Sequence, residues 1–434
     1  MHHRGRDAGP DGPVRRGGHR ARERGHHQHH QHHDGRRRPV STTPRPALVA
    51  ARTARLLAHL ADAPFDAVVA MSAANVDYAT GYRSMSGAVH GTSSVAAVVT
   101  GSRTVLAGPV ADSAPAFDAG IGEDDFVAFG RFYFESAGSA ATATRLVDEH
   151  PGAVEAITAA VHRAGVGTGT LGLDEAACPA PLRAALAAAL PDVAWVDATA
   201  WLAGVRAVKL PGEVALLARA ARLAEAGIVA ASAVAAPGVT EAELARVVAR
   251  TMVDGGGLPK FTVVTSGPRS ALADAVSTDR PLAAGDLLRF DVGCLVDGYW
   301  SDIGRTAVLG APTDLQAQRY DAILAGLDAQ LAAARPGVSA ASLFDLAVEV
   351  TQRGGLAPYR RQHCGHGIGL EVYEAPIVRP GEDVPLVEGM TFCFETPYYE
   401  LGWGGMMVED ALVVTADGVT PLTTLARGLV EVPA

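Results

Sequence analysis

Four carboxylates sit where a strand-forming chain should bury apolar side chains, and that placement constrains the fold more than any other feature. Asp291 ends the apolar run DLLRF, and Asp302 follows eleven residues later, past the turn around VDGYW. Glu395 ends the run MTFCF, and Glu409 follows fourteen residues later, past the Gly-rich turn LGWGG and the strand-like MMV. Two carboxylates held close repel, and burying them is costly unless a proton or a cation lies between them. A chain with two such strand-plus-turn units is expected to bring both pairs to one place. Between them in sequence lies GHGIGLEVYEAP at 365–376, where His366 stands among Gly365, Gly367 and Gly369. Glycine leaves room for another backbone, a ligand or a metal. The spacing predicts a cage that lets His366 approach a metal.

Each piece has an ordinary reading. Asp291 or Asp302 could cap a turn, and Asp297-Gly298 is a common hairpin turn. Glu409 could end a strand in a salt bridge, and His366 could be a hydrogen-bonded core histidine. Order, spacing and strand context together are more specific. Four acids and one imidazole form an oxygen-rich set suited to two divalent ions, manganese first, with cobalt, iron or zinc as alternatives. The set is too rich in carboxylates for a structural zinc. Two such ions lower the pKa of a shared water and polarise a carbonyl.

The rest of the chain frames that centre. Its 434 residues suffice for two or three domains. Residues 1–38 hold ten arginines and four acids, so this +6 tail leaves −16 on the remainder, given a net charge of −10. An acidic body argues against nucleic acid as a partner. The tail, with HHQHHQHHD at 26–34, has no apolar core and reads as disordered over 1–45. No apolar run reaches the roughly 18 residues of a membrane helix. Four scattered cysteines without CxxC spacing suggest a reduced, cytoplasmic setting. Helical periodicity at 47–64, 139–149, 153–164 and 181–189 alternates with short apolar runs, and NVDYATGY at 75–82 reads as a turn then a short helix. This predicts an α/β domain over 46–203. From 204 to 434, helices at 212–234, 240–253, 314–334 and 340–353 are segregated from β-like runs, which predicts α+β.

DVGCLVDGYWSDIGRT, HCGHGIGLEVYEAP and ETPYYELGWGGMMVED resemble the signature segments of the pita-bread metallopeptidases. That family includes aminopeptidase P, prolidase, methionine aminopeptidase and creatinase. NVDYATGYRS is similar to a segment of the creatinase-type N-terminal domain. The resemblance implies a pseudo-twofold catalytic domain, an antiparallel sheet with flanking helices, preceded by that N-terminal domain. It also implies a homodimer and a metal set of Asp291, Asp302, His366, Glu395 and Glu409. Asp302 and Glu409 would bridge the metals, Asp291 would hold one ion, and His366 with Glu395 the other. Glu395 would also carry a proton.

The surrounding shell departs from the family. Asp274 and Tyr373 stand where proline-specific members carry histidines, and Met407 where they carry arginine. Between residues 163 and 434 the only histidines are His363 and His366. Tyrosine donates but stays neutral far above pH 7, and aspartate accepts. Losing the arginine would remove a positive charge near the acids, leaving their charge to be balanced by the metals. Catalysis is assigned to Glu395, Tyr373 and Asp274, and substrate contact to Tyr373, Asp274, Met407, His363 and Arg83; the resemblance to creatinase-like dimers implies that Arg83 or His90 would reach over a neighbour's site. Tyr299, Trp300, Tyr398, Tyr399 and Trp403 flank the ligand segments as pocket or core. The expectation is a dinuclear hydrolase cutting a C–N bond in a small amino-acid-derived substrate other than an Xaa-Pro peptide. The alternatives are an Xaa-Pro dipeptidase or aminopeptidase, a lyase, or a non-catalytic binding module.

Overall fold

The computed structural model describes residues 45–90, 94–132 and 150–434. Residues 1–44 of the expected tail and the helix expected at 139–149 lie outside them, while Arg45 already opens the helix Arg45–Leu60. The first six strands are β1 (Ala67–Ala70), β2 (Ala96–Thr100), β3 (Thr104–Pro109), β4 (Phe126–Phe129), β5 (Gly169–Leu173) and β6 (Val193–Asp197). They form one mixed sheet in the order β4-β3-β2-β1-β5-β6. Alternate residues of β1 serve opposite cores. Val68 packs with Leu48 and Leu56 of the helix Arg45–Leu60, and Val69 packs with Ile157 and Val161 of the helix Ala153–Arg163. A strand covered on both faces is apolar throughout, which is why FDAVVAMS shows no alternation. The segment expected to turn before a helix does the reverse. The helix runs Ala73–Thr80, Ser72 caps its start by accepting from Asn75 N at 3.1 Å, and Gly81 ends it at φ 73°.

The second half repeats one plan. The helices Pro211–Val234 and Glu241–Asp254 lie on a sheet of β7 (Leu258–Ser266), β8 (Leu287–Val296), β9 (Tyr299–Trp300), β10 (Ile303–Leu309) and β18 (Val430–Val432). The helices Asp314–Ala333 and Ala340–Arg353 lie on β11 (Gly365–Gly367), β12 (Glu374–Ile377), β13 (Thr391–Glu395), β16 (Glu409–Val414) and β17 (Val419–Pro421). A small pair, β14 (Tyr398–Glu400) with β15 (Gly404–Met406), carries the Gly-rich turn. Thr240 with Glu243, and Thr313 with Gln316, close capping boxes that set two of the helix starts. The two sheets meet where Thr306 Oγ1 bonds Met407 O at 2.9 Å and accepts from Met407 N at 2.8 Å. Arg305 reaches across to the Glu409 carbonyl. That seam sets the start of β10 against the start of β16.

Candidate metal centre

The two hairpins deliver their acids differently. Asp291 sits inside β8, opposite Gly304 on β10 and Val263 on β7. Asp297 (φ 48°) and Gly298 (φ 85°) turn the chain in the left-handed conformations of a two-residue hairpin, which brings Asp302 back beside Asp291. Glu395 and Glu409 face each other directly across β13 and β16. His366 lies on the next strand, opposite Cys393. Ligand atoms of Asp302, His366 and Glu409 all come within 4.8 Å of one another, and all three residues are buried. His366 Nδ1 is 3.0 Å from Gly367 O, which assigns the ring proton there and turns the Nε2 lone pair toward Asp302 Oδ2 at 3.7 Å.

Asp302 and Glu409 have no arginine or lysine ion pair among the described residues, whereas Asp291 and Glu395 do. Burial, then Asp291 and Glu395, push the Asp302 carboxyl well above its ordinary range. Burial, then Asp302 and Glu395, do the same to Glu409. Asp291 is pushed up to about 6 by burial, with Arg289 at 3.1 Å opposing. Glu395 behaves oppositely. Burial would raise it, but His363 Nδ1 at 3.0 Å and Arg361 Nη2 at 3.7 Å hold it below its ordinary value. Asp302 Oδ1, His366 Nε2 and Glu409 Oε2 are buried with no hydrogen-bond partner among the described residues. Buried polar atoms normally find partners. Orphaned lone pairs on the three residues whose ligand atoms converge fit a divalent cation.

Asp274, Asp291, Asp302, Tyr373, Glu395, Met407 and Glu409 share the lining of one cavity of about 150 Å³, and His363 joins them. Tyr373 is half-exposed, and its ring stacks on the His366 ring at 3.8 Å. Arg83 lies elsewhere. It pairs with Asp77 at 2.5 Å, donates to the Asp297 carbonyl, and lines a separate cavity with Trp300; His90 is exposed. Of the flanking aromatics, Tyr399 lines the acid cavity. Tyr299 is core, with its hydroxyl on Glu213 at 2.6 Å, and Tyr398 and Trp403 pack around Arg319.

Two expectations need correction. The glycine cage does not make room for a metal. A Cβ on Gly365 would lie 2.4 Å from Cys393 O, one on Gly367 2.7 Å from Glu374 O, and one on Gly369 2.6 Å from the Glu374 carboxylate. The freed space is taken by neighbouring backbone and by Glu374. Nor does the missing arginine leave the acids without cations, because Arg289 and Arg361 stand at Asp291 and Glu395. Arg289 could have been found, since residues 289 and 291 share one face of a strand. Arg361 sits in an aperiodic loop and gives no such signal.

The comparisons agree with this architecture. The model of the metallopeptidase family M24 matches residues 215–416, and that of the creatinase/prolidase N-terminal domain matches residues 52–208. The chain belongs to the M24 family, the pita-bread metallopeptidases, with a creatinase-type N-terminal domain. It is 34% identical over 227 residues to an Xaa-Pro dipeptidase of Pyrococcus furiosus, covering 52% of this chain and 65% of the relative. It is 38% identical over 199 residues to a probable dipeptidase PepE of Mycobacterium tuberculosis, covering 45% and 53%. The matched stretch thus spans less than two thirds of these curated relatives. The solved dipeptidase PepE of Mycobacterium ulcerans superposes with a TM-score of 0.74 at 29% identity, over 91% of this chain and all of that one. The prolidase of Pyrococcus furiosus gives 0.69 at 25% identity, over 86% and 100%. The expectation of a substrate other than an Xaa-Pro peptide gains no support from these relatives, which fit the dipeptidase alternative better. No helix among the described residues is long and apolar enough to cross a membrane.

Proposed function

We propose that this protein is a metal-dependent dipeptidase of the Xaa-Pro class, with residues 46–203 as its N-terminal domain and 204–434 as its catalytic domain. The reading rests on one observation above all: Asp302, His366 and Glu409 bring ligand atoms within 4.8 Å of one another, each has a buried atom without a hydrogen-bond partner among the described residues, and Asp302 and Glu409 line a cavity with Asp291 and Glu395. Those five residues would hold two divalent ions, manganese by preference. When bound, the ions would activate water and polarise the scissile carbonyl. Glu395 stays ionised beside His363 and Arg361, so it can take a proton and pass it to the leaving amine. Burial and the nearby acids raise the Tyr373 hydroxyl, which therefore remains a donor to the substrate across the neutral range. Asp274, exposed at the rim, suits the substrate's free ammonium. Four buried free cysteines are in keeping with a reducing cytoplasm, and a homodimer completes the proposal.

Turnover of Ala-Pro and Gly-Pro with manganese, before and after chelation, tests the reading. Hydrolysis that chelation abolishes and manganese restores is the expected result. Failure to cleave either peptide while another small amide is cleaved would return the assignment to the altered-substrate hydrolase.

A further inference from the structure

A second cavity stands apart from the metal centre. It measures about 540 Å³, within the size range of small-molecule sites, and shares no lining residue with the acid cavity. Its walls come from both domains. Met71, Val76 and Val95 face it from the creatinase-type domain, and Leu295, Trp300 and Leu370 from the metallopeptidase domain. Three charged side chains interrupt this apolar surface: Asp77, Arg83 and Lys260. Asp77 is already neutralised twice, through Oδ1 by Arg52 at 3.0 Å and through Oδ2 by Arg83 at 2.5 Å. Arg83 also donates from Nη2 to the Asp297 carbonyl, which leaves its Nη1 without a partner among the described residues. Lys260 is exposed and has no carboxylate partner among the described residues. Its ammonium stands 5.7 Å over the Trp300 ring. The cavity therefore holds an excess of positive charge within a chain whose net charge is −10.

Trp300 supplies the second element. Its indole N–H is spent on Leu370 O at 3.0 Å, and Phe261, outside the lining, stacks on the ring at 6.4 Å. A ring held in this way offers a flat apolar surface on which another ring can lie. We infer that this cavity binds a small aromatic carboxylate, with its ring against Trp300 and its carboxylate between Lys260 and Arg83. Charge-assisted hydrogen bonds to both cations would fix the anion, and the apolar walls would enclose the ring. A zwitterion fits less well, because both oxygens of Asp77 are taken and no free acid in the lining can meet an ammonium. The ligand is thus of a different class from a dipeptide substrate, and the inference holds whether or not the dipeptidase reading does.

Calorimetric titration of the manganese-supplemented full chain with indole-3-acetate tests this. Saturable binding with a Kd below about 1 mM is expected. Indole-3-acetamide keeps the ring without the charge and should bind roughly 10-fold more weakly or worse, and acetate, which lacks the ring, should not bind measurably. Lys260→Met should weaken the acid by roughly 10- to 100-fold and change the amide little. That variant is expected to fold, because Lys260 is exposed and unpaired among the described residues. Trp300→Leu should weaken acid and amide alike. A carboxylate could also bind at the metals or at the arginines beside them, so chelation and Arg361→Met are the controls, and both should leave the titration unchanged. Binding that vanishes on chelation, or that Arg361→Met weakens while Lys260→Met does not, places the ligand in the acid cavity and overturns the inference. Equal affinity for acid and amide overturns it too, as does no binding of indole-3-acetate up to about 10 mM.

Discussion

Glu409 and Asp410 are consecutive residues of one strand, both buried, and their surroundings are opposite. Asp410 points to the side where Arg305 lies at 2.6 Å, Thr423 donates at 2.8 Å and Arg427 closes the shell. Glu409 points to the cavity, where its near neighbours are Asp302 and Glu395, and one of its oxygens has no partner among the described residues. Alternation along a strand puts adjacent side chains on opposite faces. A one-residue step thus separates a carboxylate that closes a structural network from one that carries an unmet charge. The first kind braces the second, since Arg305 also donates to the Glu409 carbonyl. A buried acid with its own cations belongs to the fold; a buried acid among other acids awaits a ligand.

Glu409→Gln breaks the comparison hardest. The ligand set loses a charge, and kcat/KM should fall roughly a thousandfold, about 4 kcal/mol of transition-state stabilisation. The chelated variant should nevertheless melt roughly 2–4 °C above the chelated wild type, because buried repulsion is relieved. A lower melting point in calorimetry would mean that Glu409 is structural after all. Asp410→Ala should do the reverse. It strands Arg305 and Arg427, costs about 3–5 kcal/mol of stability, and leaves KM of the surviving folded protein near the wild-type value. Denaturant midpoints together with initial rates check both halves of that statement.

Glu374 extends the same contrast to pH. It is buried like Glu409. Burial alone would raise it, but Lys209 at 2.7 Å and Arg206 at 3.7 Å hold it below its ordinary 4.5. Its folded value is therefore lower than its unfolded one. The stability it contributes is complete above about pH 4.5 and is lost as pH falls through the lowered folded value. Lys209→Met should cost about 2 kcal/mol at neutral pH, less than a full rupture because Arg206 remains. The gap between variant and wild type should close on acidification below about pH 4.5. A constant gap across urea titrations would show that Lys209 acts by packing instead.

The sequence carried the acids and His366 because a charge ending an apolar run is visible without a structure. It also carried the long helices, whose periodicity and caps are local. What it hid was distribution. GHGIGL looked like room for a metal, yet the space is filled from β12 and β13, partners that no local pattern announces. Arg305 carries no signal of its own in IGRTAVL, and only the seam between the sheets shows it bracing Glu409 from behind. NVDYATGY was misplaced because its capping serine stands outside the quoted segment, at Ser72.

Tyr373→Phe is the mildest test and the one that refines the cavity side of the comparison. The ring lies half-exposed over His366, with its hydroxyl close enough to the acids for them to raise it, so it can donate without bearing part of the fold. Removing only the oxygen should leave the melting temperature unchanged and lower kcat for Ala-Pro by roughly 3- to 10-fold, the worth of one hydrogen bond of about 1 kcal/mol. Tyr373→His should restore at least that loss if donation is what the position supplies, since an imidazole N–H can serve equally. If Phe matches Tyr in rate while His is slower, the ring's stacking on His366 is the contribution, and the hydroxyl plays no part in the reaction.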